Sequence, residues 1–211
     1  MLPVKLRYGL NYLVNETKFQ ILWKALHYVR KCNIEGDYIE FGVSKGDSII
    51  EAYNQAQLLG LKEMCFIGFD SFEGLPEPDK EEKDEFSKGQ FKCNFEFVKK
   101  RTSIKKRIIL NKCWFDEFKN KRDWKFKHKK ACIIMLDCDL YTSTKEALDF
   151  IKDKIQDGTV LLFDEWYYFK ARKDRGNQKA FYEFKKKNKD LLFQDFHNYG
   201  WGAKAIIVNT K

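Results

Sequence analysis

Two short apolar runs of this chain stop abruptly on acids. Ala131-Cys-Ile-Ile-Met-Leu136 runs into Asp137-Cys-Asp139, and Gly158-Thr-Val-Leu-Leu-Phe163 runs into Asp164-Glu165. Apolar runs without polar alternation read as strands buried on both faces, as in the middle of a parallel sheet. In open α/β sheets the ligand lies off the carboxyl ends of such strands. Asp137, Asp139, Asp164 and Glu165 would then share one rim, and that much like charge needs a cation, a proton or a cationic ligand to offset it. Oxygen donors of this kind suit a hard divalent ion far better than zinc. Helix capping is the competing explanation, because Ser143 and Thr144 follow the first pair. Two such pairs on consecutive strands favour a metal or substrate site.

Two further stretches carry chemistry. In Glu40-Phe-Gly42-Val-Ser-Lys-Gly46-Asp-Ser48 the glycines stand four apart at a strand-to-helix turn. Such a turn lets backbone approach a ligand, and the helix start offers free N–H groups. The spacing is not Gly-x-Gly-x-x-Gly, and the Lys-Ser/Thr ending of a phosphate-cradling loop is missing. An acid two residues before the first glycine repels phosphates but suits an amino group or a sulfonium. Asp70 ends the next apolar run about thirty residues after Glu40. In nucleotide-binding α/β folds an acid there accepts hydrogen bonds from ribose hydroxyls.

The elements that must position these groups follow in order. Asn15-Glu-Thr-Lys-Phe19 opens a helix at a capping sequence, with Phe19, Leu22, Trp23, Leu26 and Val29 on one face. Residues 38–41 form the first strand, 47–59 a helix and 64–69 the second strand. Residues 71–88, with Pro76 and Pro78 among many acids, form a loop long enough to act as a lid or binding loop. A helix over 91–101, a third strand over 107–110 and a basic connector over 120–130 precede the fourth strand. Helices over 143–154 and 176–188 flank the fifth strand. Residues 191–196 and 203–208, separated by the turn-like 197–202, pair as an antiparallel hairpin. This alternation predicts a Rossmann-like three-layer α/β/α sandwich, with a mostly parallel sheet ending in a C-terminal antiparallel hairpin. Class I methyltransferases are built this way, although fold does not fix function. The division expected is a single domain, with a helical extension over 1–34 and the Rossmann-like core over 35–211.

Composition narrows the classes. With 44% hydrophobic and 16% aromatic residues among 211 the chain is globular. The net charge of +9 invites a nucleic-acid reading. Residues 119–130 add seven Lys or Arg with Trp124 and Phe126 interleaved. Lysines are nevertheless spread over nearly every element, and a charged connector is more often solvated than bound to phosphates. Six cysteines without a Cys-x-x-Cys pair fit reduced thiols in a cytoplasmic protein rather than a disulfide frame or zinc site. No secretory or membrane-length apolar stretch occurs. Trp166-Tyr-Tyr-Phe169 reads equally as a sugar-stacking wall or as apolar cover for the sheet, and His197 in the final turn is a weaker pocket candidate.

Four motifs, in order, resemble the macrocin-type O-methyltransferases: Glu40 to Ser48, Gly68-Phe-Asp-Ser-Phe-Glu-Gly-Leu-Pro-Glu77, Leu136-Asp-Cys-Asp-Leu-Tyr-Thr-Ser-Thr144 and Phe163-Asp-Glu-Trp166. The resemblance spans roughly residues 35 to 205. It implies an S-adenosylmethionine-dependent, Mg²⁺-dependent enzyme that methylates a sugar hydroxyl of a glycan, glycolipid or glycosylated metabolite. It implies a cofactor site lined by Glu40, Gly42, Val43, Ser44, Gly46 and Ser48, with Asp137 adjoining. Asp70 would meet the ribose, with Ser71 and Phe72 near the adenine. Asp137, Asp164 and Glu165 are the implied metal ligands, and Asp137 and Asp139 the implied catalytic acids. The family's Asp-Asp pair reads Asp164-Glu165 here, and Asp139 competes with Asp137 for the metal. An RNA methyltransferase is the alternative that the charge suggests, but neither a catalytic cysteine motif nor an Asn/Asp-Pro-Pro-Tyr/Trp motif is present. A non-catalytic cofactor-binding protein of the same fold is the third reading, and the retained acids oppose it. The oligomeric state is left open, a homo-oligomer included.

Overall fold

The structure, a computed structural model, describes residues 17–120, 124 and 126–211. The expected cap at Asn15 and Lys121, Arg122 and Lys125 of the connector lie outside the described residues. Among the described residues seven strands form one sheet: β1 (Asp37–Phe41), β2 (Phe66–Asp70), β3 (Ile108–Lys112), β4 (Ala131–Leu136), β5 (Thr159–Phe163), β6 (Leu191–Tyr199) and β7 (Ala203–Thr210). Their order is β3-β2-β1-β4-β5-β7-β6. The first five strands run parallel, and β7 lies antiparallel to both β5 and β6. Helices α1 (Lys18–Lys31), α2 (Asp47–Leu58), α3 (Phe95–Thr102), α4 (Tyr141–Ile151) and α5 (Gly176–Lys187) cover the two faces.

Strand alternation decides which side chains meet which helices. Tyr38, Ile133, Met135, Val160 and Leu162 pack in one core layer with Leu22 and Leu26 of α1 and Ile49 and Ala52 of α2. Ile39, Phe41, Ile134, Leu136, Leu161 and Phe163 face the opposite way, against Leu148 of α4 and Phe181 of α5. With a period of two, Glu40, Asp137 and Asp164 continue the first set and project on the α1–α2 side.

The register lines up the strand ends. Phe41 pairs with Phe69 on one side and Leu136 on the other, and Leu136 pairs with Phe163. The ladder continues one step further, with N–H groups of Gly42, Asp137 and Asp164 donating to the carbonyls of Phe69, Phe41 and Leu136. Gly42, Asp70, Asp137 and Asp164 therefore stand side by side at the carboxyl edge. The order reverses between β1 and β4, the switch point where such sheets bind ligands.

Differences from the sequence-based boundaries have local causes. The helix expected over 91–101 starts at Phe95, because the Asn94 side chain accepts a hydrogen bond from the Phe97 N–H and fixes the start there. α1 starts at Lys18 with Thr17 as its cap; Thr17 and Gln20 exchange hydrogen bonds as a capping box. β6 extends into the first part of the expected turn, to Tyr199, with an irregularity between Asp195 and His197, and the turn itself is confined to residues 200–202.

Candidate active site

A cavity of about 1360 Å³ opens over the carboxyl edge. Its floor is the β1–α2 turn together with Asp70, Asp137, Asp139 and Asp164, and its roof is part of the loop after β2. Its size exceeds the roughly 300–1,000 Å³ of a typical single-ligand pocket, room for a donor and an acceptor side by side.

The turn works only with glycine at its start. Gly42 has φ +88°, and a Cβ there would sit 1.6 Å from the Asp137 carbonyl oxygen. Backbone of β1 and β4 thus meets at contact distance, which opens the groove above it. Asp70 braces the turn from β2: Oδ2 accepts from the Ser44 N–H at 2.7 Å and Oδ1 from the Phe72 N–H at 2.6 Å. A carboxylate offers about four lone-pair sites, so both oxygens keep capacity for a ligand. Ser44 (φ 46°), Phe72 (φ 58°) and Asp139 (φ 60°) all occupy the left-handed region beside this groove. Asp139 sits in a three-residue turn closed by the Leu140 N–H on the Cys138 carbonyl at 2.7 Å. Such strain, of order 1–3 kcal/mol per residue, persists where neighbours over-determine it and gathers at functional sites.

Glu40 lies deeper than the cavity wall. It is 0% exposed, and its carboxylate accepts from the Tyr38 hydroxyl at 2.5 Å and the Ser48 hydroxyl at 2.7 Å. Burial pushes it up to about 8, against the pull of the Ser48 and Tyr38 hydroxyls and with a push from Asp137. An acid raised on folding stabilises the fold below its unfolded value of 4.5 and loses that contribution as pH rises through about 8. Glu40→Gln is expected to flatten the pH dependence of the unfolding temperature across that window; an unchanged slope would assign the dependence elsewhere.

The four strand-end acids converge. One oxygen each of Asp137, Asp164 and Glu165 lie within 4.8 Å of one another, a spacing that can hold a metal ion. Glu165 is 6% exposed, and its Oε2 is buried without a hydrogen-bond partner among the described residues. An orphaned buried carboxylate oxygen calls for a donor or a cation. Burial and the Asp164 charge push Asp137 up to about 7 despite Lys18. Burial, then Asp137 and Asp164, push Asp139 up to about 8. Burial and the same neighbours, Asp139 foremost, hold Glu165 well above the carboxylate range. The donor set fits a hard divalent ion in chemistry and spacing.

The comparisons with known proteins decide the family. Residues 10–196 match the profile of the macrocin O-methyltransferase (TylF) family. The chain belongs to the macrocin O-methyltransferase family. As a member it is an S-adenosylmethionine-dependent O-methyltransferase. Its fold is similar to that of the O-methyltransferase NovP, with TM-score 0.75 at 16% identity over 92% of this chain and 79% of that one. The calicheamicin methyltransferase CalS11 gives TM-score 0.58 at 18% identity over 98% of this chain and 86% of that one. An O-methyltransferase from Bacillus cereus, solved with S-adenosylhomocysteine, gives 0.56 at 11% identity over 97% and 86%. No curated protein matches by sequence.

Of the residues the family resemblance singles out, Gly42, Val43, Ser44, Ser48, Asp70, Ser71, Asp137, Asp139, Asp164 and Glu165 line the cavity. Glu40, Gly46 and Phe72 do not: Gly46 (φ +82°) packs near Val98, and Phe72 is buried against Phe95. Asp137 rather than Asp139 groups with Asp164 and Glu165. The aromatic run after β5 divides, with Trp166 in the core against Phe163 and Phe181. Tyr168 faces the cavity, stacked on Phe86 at 5.8 Å and close to Trp201 at 4.7 Å. His197 lies on β6 with its ring 3.1 Å from Lys24, away from the cavity lining.

Sequence reasoning missed four groups. Trp114 and Phe115 line the cavity beyond β3, where nothing in their spacing marks them. Tyr199 is buried on β6, its hydroxyl pushed well above its usual range by burial and by Asp164 and Asp137. Lys18 is the most consequential: its Nζ lies 2.7 Å from both Asp137 Oδ2 and Asp164 Oδ2. Burial alone would lower the Lys18 ammonium, but the two carboxylates outweigh it and hold it above the lysine range.

Proposed function

We propose that this methyltransferase acts on a hydroxyl of a sugar, in a glycan, glycolipid or glycosylated metabolite, and that it requires Mg²⁺. The observation that carries the reading is the grouping of Asp137, Asp164 and Glu165 in the same cavity as the Gly42–Ser48 turn and Asp70. S-adenosylmethionine brings a methyl group already activated by its sulfonium charge, so the protein's task is to align the acceptor and remove its proton. Gly42, Val43 and Ser44 let the donor lie against backbone. The first turn of α2, which has no side-chain cap, offers N–H groups to its carboxylate. Asp70 takes the ribose hydroxyls with its spare lone pairs, and Ser71, Trp114 and Phe115 flank the adenine. Glu40 acts through Ser48, while Gly46 and Phe72 set the turn's shape.

A sugar hydroxyl is a very weak acid, and a base alone is inefficient at neutral pH. Asp137, Asp164 and Glu165 would hold Mg²⁺, which supplies Lewis-acid polarisation that makes one of two vicinal hydroxyls easier to deprotonate. Asp139 accepts the proton: it lines the same cavity beside Asp137 but does not group with the three metal-holding acids, which leaves its carboxylate available as the base. Tyr168, stacked on Phe86 in the cavity wall, offers aromatic surface to the apolar face of a sugar.

The charge of +9 does not redirect this reading to RNA. The basic connector enters β4 at its amino end, opposite the cavity. There Lys127 pairs with Glu63, and Lys130 donates to the Asp153 and Ile155 carbonyls. The deciding experiment offers S-adenosylmethionine, Mg²⁺ and a panel of nucleotide-linked sugars, glycosides and bulk RNA. Methylated sugar and unmodified RNA are expected by mass spectrometry; the reverse would replace the sugar reading. Separately, Asp70→Ala is expected to weaken S-adenosylmethionine binding in calorimetry by about 1–3 kcal/mol, the scale of lost hydrogen bonds to a charged group. Unchanged affinity would remove Asp70 from the donor site.

A further inference from the structure

Lys18 stands where a helix disfavours it. It is the first residue of α1, and that first turn contains no acid. A cation at a helix N-terminus opposes the macrodipole, so the placement lacks a local reason. Side chains of the first turn lean back past the helix start, and the Lys18 stem carries its ammonium over the sheet edge. There it meets Asp137 Oδ2 and Asp164 Oδ2 at 2.7 Å each. Both oxygens belong to groups able to hold a metal ion, and the third group, Glu165, keeps an oxygen without a partner among the described residues.

We infer that Lys18 is a built-in counter-ion of the Asp137–Asp164 pair that competes directly with the divalent cation, so that metal entry requires the ammonium to leave. This rests on the Mg²⁺ reading given above. Oxygen ligands hold Mg²⁺ or Ca²⁺ at about 2.0–2.6 Å. An ion on the same two oxygens as the ammonium would therefore lie within roughly 5 Å of it, where a double and a single positive charge repel strongly. One lysine also cannot balance Asp137, Asp139, Asp164 and Glu165 together, which leaves a stronger cation a reason to displace it. The device keeps the acids partnered when metal is scarce and ties metal binding to a movement of the Lys18 side chain.

Two measurements test this. Mn²⁺ binding, followed by the electron paramagnetic resonance of the free ion, should be roughly ten- to a hundredfold tighter in Lys18→Met than in the parent protein. Equal or weaker binding by a folded variant would overturn the competition and leave the metal reading standing. No Mn²⁺ bound by either protein would remove the metal reading, and this inference with it. The second measurement needs no variant: acylation of Lys18 by acetic anhydride, read by peptide mass spectrometry, should rise severalfold when saturating Mg²⁺ is added. Unchanged labelling at a Mg²⁺ concentration that fills the site in calorimetry would overturn the inference.

Discussion

Replacing Gly42 with alanine is expected to lower stability by roughly 3–5 kcal/mol and to abolish S-adenosylmethionine binding. A left-handed φ of +88° costs an alanine about 1–2 kcal/mol by itself. The greater cost is steric: the new Cβ would fall 1.6 Å from the Asp137 carbonyl oxygen, which belongs to backbone and cannot swing aside. β1 and β4 must part there, and the Asp137 N–H then loses the Phe41 carbonyl it holds at 2.9 Å. A lost internal hydrogen bond adds about 1 kcal/mol. For a domain of this size the sum should lower the unfolding temperature by on the order of 10 °C. Gly60→Ala separates conformational strain from steric clash, because Gly60 has φ +73° with nothing within 4 Å of its Cβ position. It should lose only the conformational part and bind the donor normally. If both variants unfolded alike, close approach at the switch point would not be what Gly42 provides.

The same juncture shows how far the sequence can be read. β4 and β5 are legible because each is an apolar run that ends on an acid, whereas β1, which carries Asp37 and Glu40 among its five residues, is legible from the Gly42–Gly46 turn that follows it. A residue's parity along the strand then tells which face its side chain takes. Asp137 and Asp164 could be assigned to one face by counting back to Met135 and Leu162. The contact with Lys18 could not, since it joins positions 119 apart and depends on how α1 lies across the sheet. The clue was negative: a lysine opening a helix whose first turn holds no acid. The loop after β2 is legible as a binding loop from its length and acids. Its anchoring is not: Glu82, buried, accepts the Tyr141 N–H at 2.7 Å and so docks the loop on the start of α4. That interaction is tertiary and leaves no periodic trace. Tyr168 and Trp166, two residues apart in one aromatic run, divide between cavity and core for the same reason.

Chelation is expected to abolish methyl transfer, and Mg²⁺ to restore it, with Mn²⁺ or Ca²⁺ substituting in part. Asp137, Asp139, Asp164 and Glu165 crowd one rim, and Lys18 offsets only part of their charge. The buried Glu165 Oε2 has no partner among the described residues. Asp137→Asn and Asp164→Asn should each lower kcat at least about a hundredfold, because either change removes a charged ligand from a site meant to polarise the acceptor. Both should retain S-adenosylmethionine binding, since the donor's main contacts are proposed on β1, β2 and α2. Glu165→Gln should instead raise the Mg²⁺ concentration needed for half-maximal rate. Asp139→Asn should leave that midpoint in place and lower kcat, because its role is to take the proton. Mg²⁺ titrations of kcat across the four variants separate these roles. A parent protein fully active in chelator, with no metal by elemental analysis, would rule out the metal-assisted route and leave Lys18 as the counter-ion of the acid cluster.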